Sequence, residues 1–417
     1  MRECKNGFIN AYIQYSKPQE SPTIFHTWTA ISTIASILQR KCWMERGYYT
    51  LYPNLYIILV SASGVGNKTT AIRIGTEDIL SKALPQIKIM RGAITVPALI
   101  DIMTQIVTTN PTGCAELTIF CEEFKVFSKG LYTDSGLIEN LTKLYDCGTF
   151  EYITRGQGSI VVDKPCVNLI AGSTPEWLTT GAASDFIGGG FSSRIVPVSI
   201  VKREKTIAWP EKTKIEKDLE QQLIHDAIEV SKLSGPFFVS TEAKVYFKSW
   251  YDVREKYRLS DNRMDGYYSK KHDLVLKLAM ILSASMNDDM LITDAHIQTA
   301  LSLLEKIEST IPYAFQGVAW GEQAKFQDRV LTKIKELDIV PHSDLLQQFH
   351  FCMSGNDLKT IIQTLLDADY ICWEKIYLNK IGRPRIVYKN KEARIKSGNC
   401  IEADCTNHGC EFRQKSK

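Results

Sequence analysis

The stretch Ser61-Ala62-Ser63-Gly64-Val65-Gly66-Asn67-Lys68-Thr69-Thr70 gathers residue types that together handle phosphate. Small residues let backbone N–H groups wrap anionic oxygens, a lysine neutralises charge, and a hydroxyl can bind Mg2+. The context suits this, because the apolar run Leu55–Val60 enters the loop and Ala71–Leu84 beyond it is helix-compatible. Ser63, Gly64, Val65, Gly66, Asn67, Lys68, Thr69 and Thr70 are therefore the candidate nucleotide-binding residues, with Lys68 on the β- and γ-phosphates and Thr69 on magnesium. Counting back from Lys68 puts Asn67 and Ala62 where the usual pattern has glycines. Two readings fit: Asn67 takes the left-handed conformation itself, or it is a one-residue insertion after Gly66. The bland alternative for the whole run is a glycine-rich turn between a strand and a helix.

A mostly apolar strand, Leu117–Cys121, ends in Glu122-Glu123. Beside a phosphate loop, the first acid would hold the magnesium and the second would orient and activate the attacking water. Adjacent acids are also common on solvated turns, so the pair gains its weight from the loop. Another strand, Cys166–Ala171, runs into Gly172-Ser173-Thr174-Pro175. Ser173 or Thr174 there could sense a γ-phosphate, and a simple Ser-Thr-Pro turn fits equally well. Arg194 follows Gly188-Gly189-Gly190-Phe191-Ser192-Ser193 and precedes a strand. That position suits an arginine finger reaching a neighbouring subunit, with a surface salt bridge as its plainer reading.

Nucleic-acid contact is read at two places. The β-prone runs Thr149–Thr154 and Ser159–Val162, joined by Arg155-Gly156-Gln157-Gly158, form a hairpin. It either carries Arg155 and Lys164 to a phosphate backbone or only covers a sheet edge. Residues 324–390 order as a helix over Ala324–Leu337, a second opened by Ser343, a third opened by Ser354, and β-like runs Tyr370–Ile376 and Pro384–Tyr388. That order describes a winged helix. Its cations Lys375, Lys380, Arg383, Arg385 and Lys389 gather around the wing, while the third helix offers Lys359, which suits backbone contact more than base reading. A protein-docking role for the same module stays open. Cys400, Cys405, His408 and Cys410 are zinc-ligand types without close CxxC spacing, so a polar tail is the competing reading. His26 and His272 read as structural.

These residues need a frame. A chain of 417 residues exceeds what one core usually serves. Apolar spacing suggests an N-terminal helical segment over 1–49, with two helices. Residues 50–202 alternate short β-rich runs with helical lengths, which predicts a parallel sheet covered on both faces. Residues 203–315 read as a helical, lid-like domain with Thr241 and Thr293 as N-caps, followed by the winged helix at 324–390 and a tail at 391–417. The net charge of +3 is too small to argue a nucleic-acid partner alone. Eleven cysteines, eight of them scattered through the first 372 residues, fit reduced thiols in a cytoplasmic compartment, and no apolar run approaches the roughly 20 residues of a membrane span.

With these motifs in place, the chain resembles the phage and prophage P-loop ATPases described as replicative helicases or primase-helicases. The similarity runs from about Ile24 to Val201, through Tyr52-Pro53-Asn54-Leu55-Tyr56, the phosphate loop, Glu122-Glu123, Leu169–Trp177 and Phe191–Arg194. The helical part and the winged helix agree with it more loosely. The resemblance implies an α/β P-loop NTPase core of the RecA and AAA+ kind, ATP and Mg2+ as cofactors, and single-stranded or forked DNA as partner. It also implies a homo-oligomeric ring, a hexamer being one form, working with replication proteins in the host cytoplasm. No separate primase site is visible. An ATP-switched loader or adaptor that recruits a replication partner without unwinding is the rival expectation, and a nucleotide-binding structural subunit the third.

Overall fold

The computed structural model describes residues 1–124, 136–154, 158–175, 190–258, 264–314, 322–351, 353–376 and 385–390. Arg155, Lys380, Arg383, Cys400, Cys405, His408 and Cys410 lie outside the described residues. The chain divides into two compact units, Met1–Val318 and Ala319–Lys417.

In the first unit, helix α1 (Phe8–Tyr15) buries one apolar face, whereas α2 (Thr23–Leu38) is buried from Phe25 to Leu38 apart from Thr27. A helix apolar on all sides belongs inside, and α2 lies against the sheet as its core helix. Fully burying each of Ile31, Ile34 and Ile37 stabilises by roughly 1.5–3 kcal/mol. Strand β1 (Cys42–Glu45), inside the segment expected to be helical, pairs antiparallel with β2 (Thr50–Leu51).

Five strands form the central sheet: β3 (Tyr56–Val60), β4 (Ile89–Arg91), β5 (Ala115–Cys121), β8 (Pro165–Ser173) and β9 (Ile195–Ser199), in the order β4-β5-β8-β3-β9. Every pairing is parallel. All residues of β3, β5, β8 and β9 are buried, as expected where both faces of a parallel sheet are covered, and the strands are mostly apolar with Glu116, Thr118 and Asn168 as buried polar exceptions inside them. After β3 the chain turns into α3 (Lys68–Arg73), which continues as a π-helical stretch (Ile74–Leu80) and a last turn, α4 (Ser81–Ala83). Helix α5 (Val96–Thr109) joins β4 to β5, and α6 (Leu137–Tyr145) precedes the hairpin β6 (Phe150–Thr154) and β7 (Gly158–Val162).

Helices dominate the rest of this unit: α7 (Lys214–Ser231), α8 (Thr241–Val253), α9 (Asp265–Met286), α10 (Asp294–Glu308) and α11 (Ile311–Ala314). The short β10 (Gly235–Pro236) extends β1, and β11 (Phe238–Val239) pairs with β12 (Leu291–Ile292). Thr293 caps α10, but α8 is capped by Ser240 rather than Thr241, its hydroxyl accepting from Ala243 N at 3.1 Å. The second unit holds α12 (Glu322–Leu337), β13 (Ile339–Pro341), α13 (His342–Phe349), α14 (Gly355–Asp367), β14 (Ile371–Ile376) and β15 (Arg385–Asn390). Its antiparallel sheet has the order β13-β15-β14, and Ser354 and Asp357 close a capping box at the start of α14.

Candidate functional site

Because the central strands are parallel, their C-terminal tips share one edge. Register brings three of them level: Val60 of β3 pairs with Ser173 of β8, and Cys121 of β5 with Ala171 of β8. Ser61 N donates to Ser173 O at 3.3 Å, so the loop leaving β3 is stitched to the tip of β8. Gly172 sets how closely the tips approach. A Cβ on it would stand 2.5 Å from Glu122 O and 3.4 Å from Lys68 Cβ. Only glycine lets the backbone of Glu122 pass there, which sets the acid pair beside the root of Lys68.

Within the loop, Gly64 takes φ +73° with open space around it, and Asn67 is left-handed at φ 44°, ψ 44° as the N-cap of α3. Gly66 is held by packing, since a Cβ would meet Ser61 Oγ at 2.6 Å and the Phe25 ring at 2.7 Å. Lys68 is the first residue of the helix, and its Nζ donates back to Ser61 O at 2.8 Å and Ser61 Oγ at 2.9 Å. The ammonium thus curls over the loop, while the leading N–H groups of a helix have no intrahelical acceptor. Thr69 is half-buried and Thr70 exposed on the first turn.

Glu122 and Glu123 are both exposed at the tip of β5. The Glu122 carboxylate is ion-paired with Arg73 at the end of α3, a partner outside the loop motif. Cys121 Sγ donates to Glu123 O at 3.0 Å and helps set the turn between the acids. Ser173 is buried and its hydroxyl donates to Thr174 O at 3.2 Å, so it is spent on its own turn; Thr174 is half-buried. Lys68, Thr69, Glu122, Glu123, Ser173 and Thr174 therefore gather at one end of the sheet. This arrangement can hold a polyanion against the loop, with a lysine on one side and two carboxylates on the other.

Arg194 and Lys164 stand at the other end. Arg194 immediately precedes β9, whose Ile195 pairs with Tyr56 and whose Ser199 pairs with Val60. It is separated from the loop edge by the length of the strand, about 17 Å at 3.3–3.4 Å per residue. Its guanidinium donates to Asp146 Oδ2 at 2.6 Å and to Gly190 O at 3.0 Å, and its Nε is buried without a partner. The preceding residue, Tyr145, is tied to the buried Lys277 through Asn54: Lys277 donates to Asn54 Oδ1 at 2.7 Å and Asn54 Nδ2 donates to Tyr145 O at 2.9 Å. Burial pushes the Lys277 pKa down to about 8. A cavity of about 440 Å3 opens here, lined by Tyr49, Tyr52, Tyr145, Asp146, His272 and Lys277. Lys164 is exposed in the turn between β7 and β8.

In the second unit Arg385 and Lys375 are exposed on the two-stranded end of the sheet, and Lys389 is ion-paired with Glu374 across the strands. Lys375 Nζ lies 5.8 Å from the centre of the exposed Trp373 ring. Lys359 is exposed on α14. His26 and His272 occupy structural settings, the first wholly buried in α2 and the second edge-on to Tyr251. A second cavity, about 340 Å3, belongs to β1, β11, α8 and α9 rather than to the strand tips. Among the described residues no cluster of three or more His, Cys, Asp or Glu side chains is placed to hold a metal ion. No described helix is long and apolar enough to cross a membrane. Comparison with protein-family models yields no match, and comparison with curated proteins yields none.

Proposed function

We propose that the chain is a P-loop ATPase with a RecA/AAA+-like core, acting as a DNA-dependent motor of the phage replicative helicase kind. The observation that carries this reading is the convergence of Lys68, Glu122 and Glu123 on one sheet edge, with Gly172 keeping the tips close. Anionic ligands of open α/β sheets bind beyond the carboxyl ends of the strands, where these residues stand. Residues Ser63–Lys68 wrap the phosphates. Thr69 and Glu122 would hold Mg2+, a cation that needs only one or two protein oxygens beside substrate phosphates. Magnesium supplies charge neutralisation on the β- and γ-phosphates. Glu123 orients the attacking water, and Ser173 and Thr174 flank the γ-phosphate side.

Arg194 cannot reach the loop of its own chain from the far end of β9. Its role is therefore to complete the site of a neighbouring copy in a ring, exchanging Asp146 for a γ-phosphate. The second unit has the helix and strand order of a winged helix, and Arg385 and Lys375 on its wing would meet a phosphate backbone. Lys164 would do so on the first unit. The pairing of Arg194 with Asp146 within one chain also favours a second reading, an ATP-switched loader or adaptor that hydrolyses slowly and recruits a replication partner.

The deciding experiment is ATP hydrolysis with and without single-stranded DNA for the native chain and Lys68→Ala. DNA stimulation that the substitution abolishes supports the motor. Hydrolysis indifferent to DNA supports the adaptor. No hydrolysis and no nucleotide binding by the native chain refutes the ATPase reading.

A further inference from the structure

An asparagine stands in the loop where the usual phosphate-binding pattern has a glycine, and it adopts a left-handed backbone that glycine would take more easily. What it gains is a side chain. Asn67 Nδ2 donates to Glu20 Oε2 at 3.0 Å, while the other oxygen of Glu20 accepts from Ile207 N at 3.0 Å. Arg203 pairs with the same carboxylate at 3.6 Å and donates to Gly64 O at 2.9 Å. Ser21 Oγ donates to Asn67 O at 3.1 Å. These bonds, the hydrogen bond from Ile207 N first and that from Asn67 next, hold the Glu20 pKa below the usual carboxylate range.

We propose that Asn67, Glu20 and Arg203 form a latch that fixes the glycine-rich loop in its phosphate-binding shape and ties it to the irregular strap of residues 200–212. This rests on the nucleotide reading of the loop. Arg203 takes up the Gly64 carbonyl, and Glu20 holds the loop and the strap with its two oxygens. The strap is fastened further on, where Glu204 accepts from Thr23 N at 2.9 Å and Lys212 donates to Asp78 at 3.1 Å and Glu220 at 2.9 Å. It then enters α7 through the capping box of Thr213 and Glu216. A change at the loop is thereby passed to the helical part of the unit. Asn67 acts as a positioning residue, because its amide is taken up by Glu20.

Asn67→Gly removes the amide and keeps a residue that favours the same backbone; Glu20→Ala removes the other half. Binding of a fluorescent ATP analogue should weaken about five- to tenfold in each, the loss of one charge-assisted hydrogen bond, with the loss on KM rather than kcat. The double variant should be no worse than either single one. In the nucleotide-free chain, chymotrypsin should cut faster at Trp209, an exposed residue of the strap, in both variants. Affinities within twofold of native, or single losses that multiply in the double variant, would overturn the latch. So would unchanged cleavage at Trp209, whether or not ATP binds. Accelerated cleavage in a chain whose native form binds no ATP would instead support the mechanical tie and overturn the nucleotide reading.

Discussion

Replacing Gly172 by alanine places a methyl group 2.5 Å from Glu122 O, nearly an ångström inside ordinary contact. The obstacle is backbone, so no side chain can swing away; either β5 or β8 must shift. Overpacking of this kind costs roughly 1–3 kcal/mol. The tip of the β5–β8 ladder would also open, adding about 1 kcal/mol for a hydrogen bond lost. At roughly 2 °C per kcal/mol for a unit of this size, Tm should fall by about 4–8 °C. The chemical effect should be larger, because the shift separates Glu122 from Lys68, and a 1 Å misplacement can lower turnover about a hundredfold. Thermal unfolding and ATP hydrolysis measured together, with Gly64→Ala alongside, make the test. Gly64 has open space around it and φ +73°, so that variant meets backbone strain of about 1–2 kcal/mol and no clash. If Gly172→Ala unfolded at the native temperature and hydrolysed ATP within a few-fold of native, the strand tips would not need this spacing, and the argument from convergence would fail.

Other outcomes are expected. Glu123→Gln should bind ATP like the native chain and lose at least about a hundredfold in hydrolysis, as expected for removal of a positioned base; an unchanged rate would place water activation elsewhere. Arg194→Ala and Lys68→Ala should each be inactive alone, yet a mixture should recover part of the activity if one copy supplies the arginine to another's loop. A mixture as silent as its parts would leave Arg194 with its structural role at Asp146. His26 is buried with both ring nitrogens unpartnered, and burial pushes its pKa down to about 3. As pH falls below the ordinary value near 6.5, the unfolded chain takes up a proton that the folded chain refuses. Stability should therefore drop by up to roughly 1.4 kcal/mol per pH unit. Denaturant melts of His26→Phe between pH 6.5 and 4.5 should show a flatter slope than the native chain; parallel slopes would mean that His26 is not the titrating group.

Much of the sheet could be read from the sequence, because β3, β5, β8 and β9 are mostly apolar runs, interrupted at Glu116, Thr118 and Asn168 and punctuated at their ends by serine, acid or glycine. The strand ends shifted by a residue or two, since pairing rather than composition decides where a ladder stops. Strand β13 was missed: three residues ending in Pro341 carry too little pattern. Strand β1 was missed because it pairs with the distant Gly235–Pro236. Lys68 and the acid pair could be found from type and spacing alone. Arg73 could not, since its meeting with Glu122 depends on the turn of α3, and neither could the need for glycine at 172, which arises from a neighbouring strand. Arg194 could be singled out from its place before a strand as a finger or a salt-bridge residue, but its pairing with Asp146 and its distance from the loop follow from register, which one sequence does not display.

The π-helical stretch Ile74–Leu80 sets how the loop is joined to the helical part of the first unit. The helix that starts at the loop is not a uniform rod. Its middle is wound wide, and Ser81 Oγ donates to Thr76 O at 2.7 Å. At the same level Gly75 lets α2 press so close that a Cβ would stand 2.5 Å from the Thr29 methyl. A π-turn interrupts the α-helical ladder and is one of the places where a helix changes direction. Within it Asp78 is tied to Lys212, and just past it Lys82 is tied to Glu220. The loop is thus joined to the helical part of the unit through a wide turn that is itself fastened at Asp78, and not through a uniform rod.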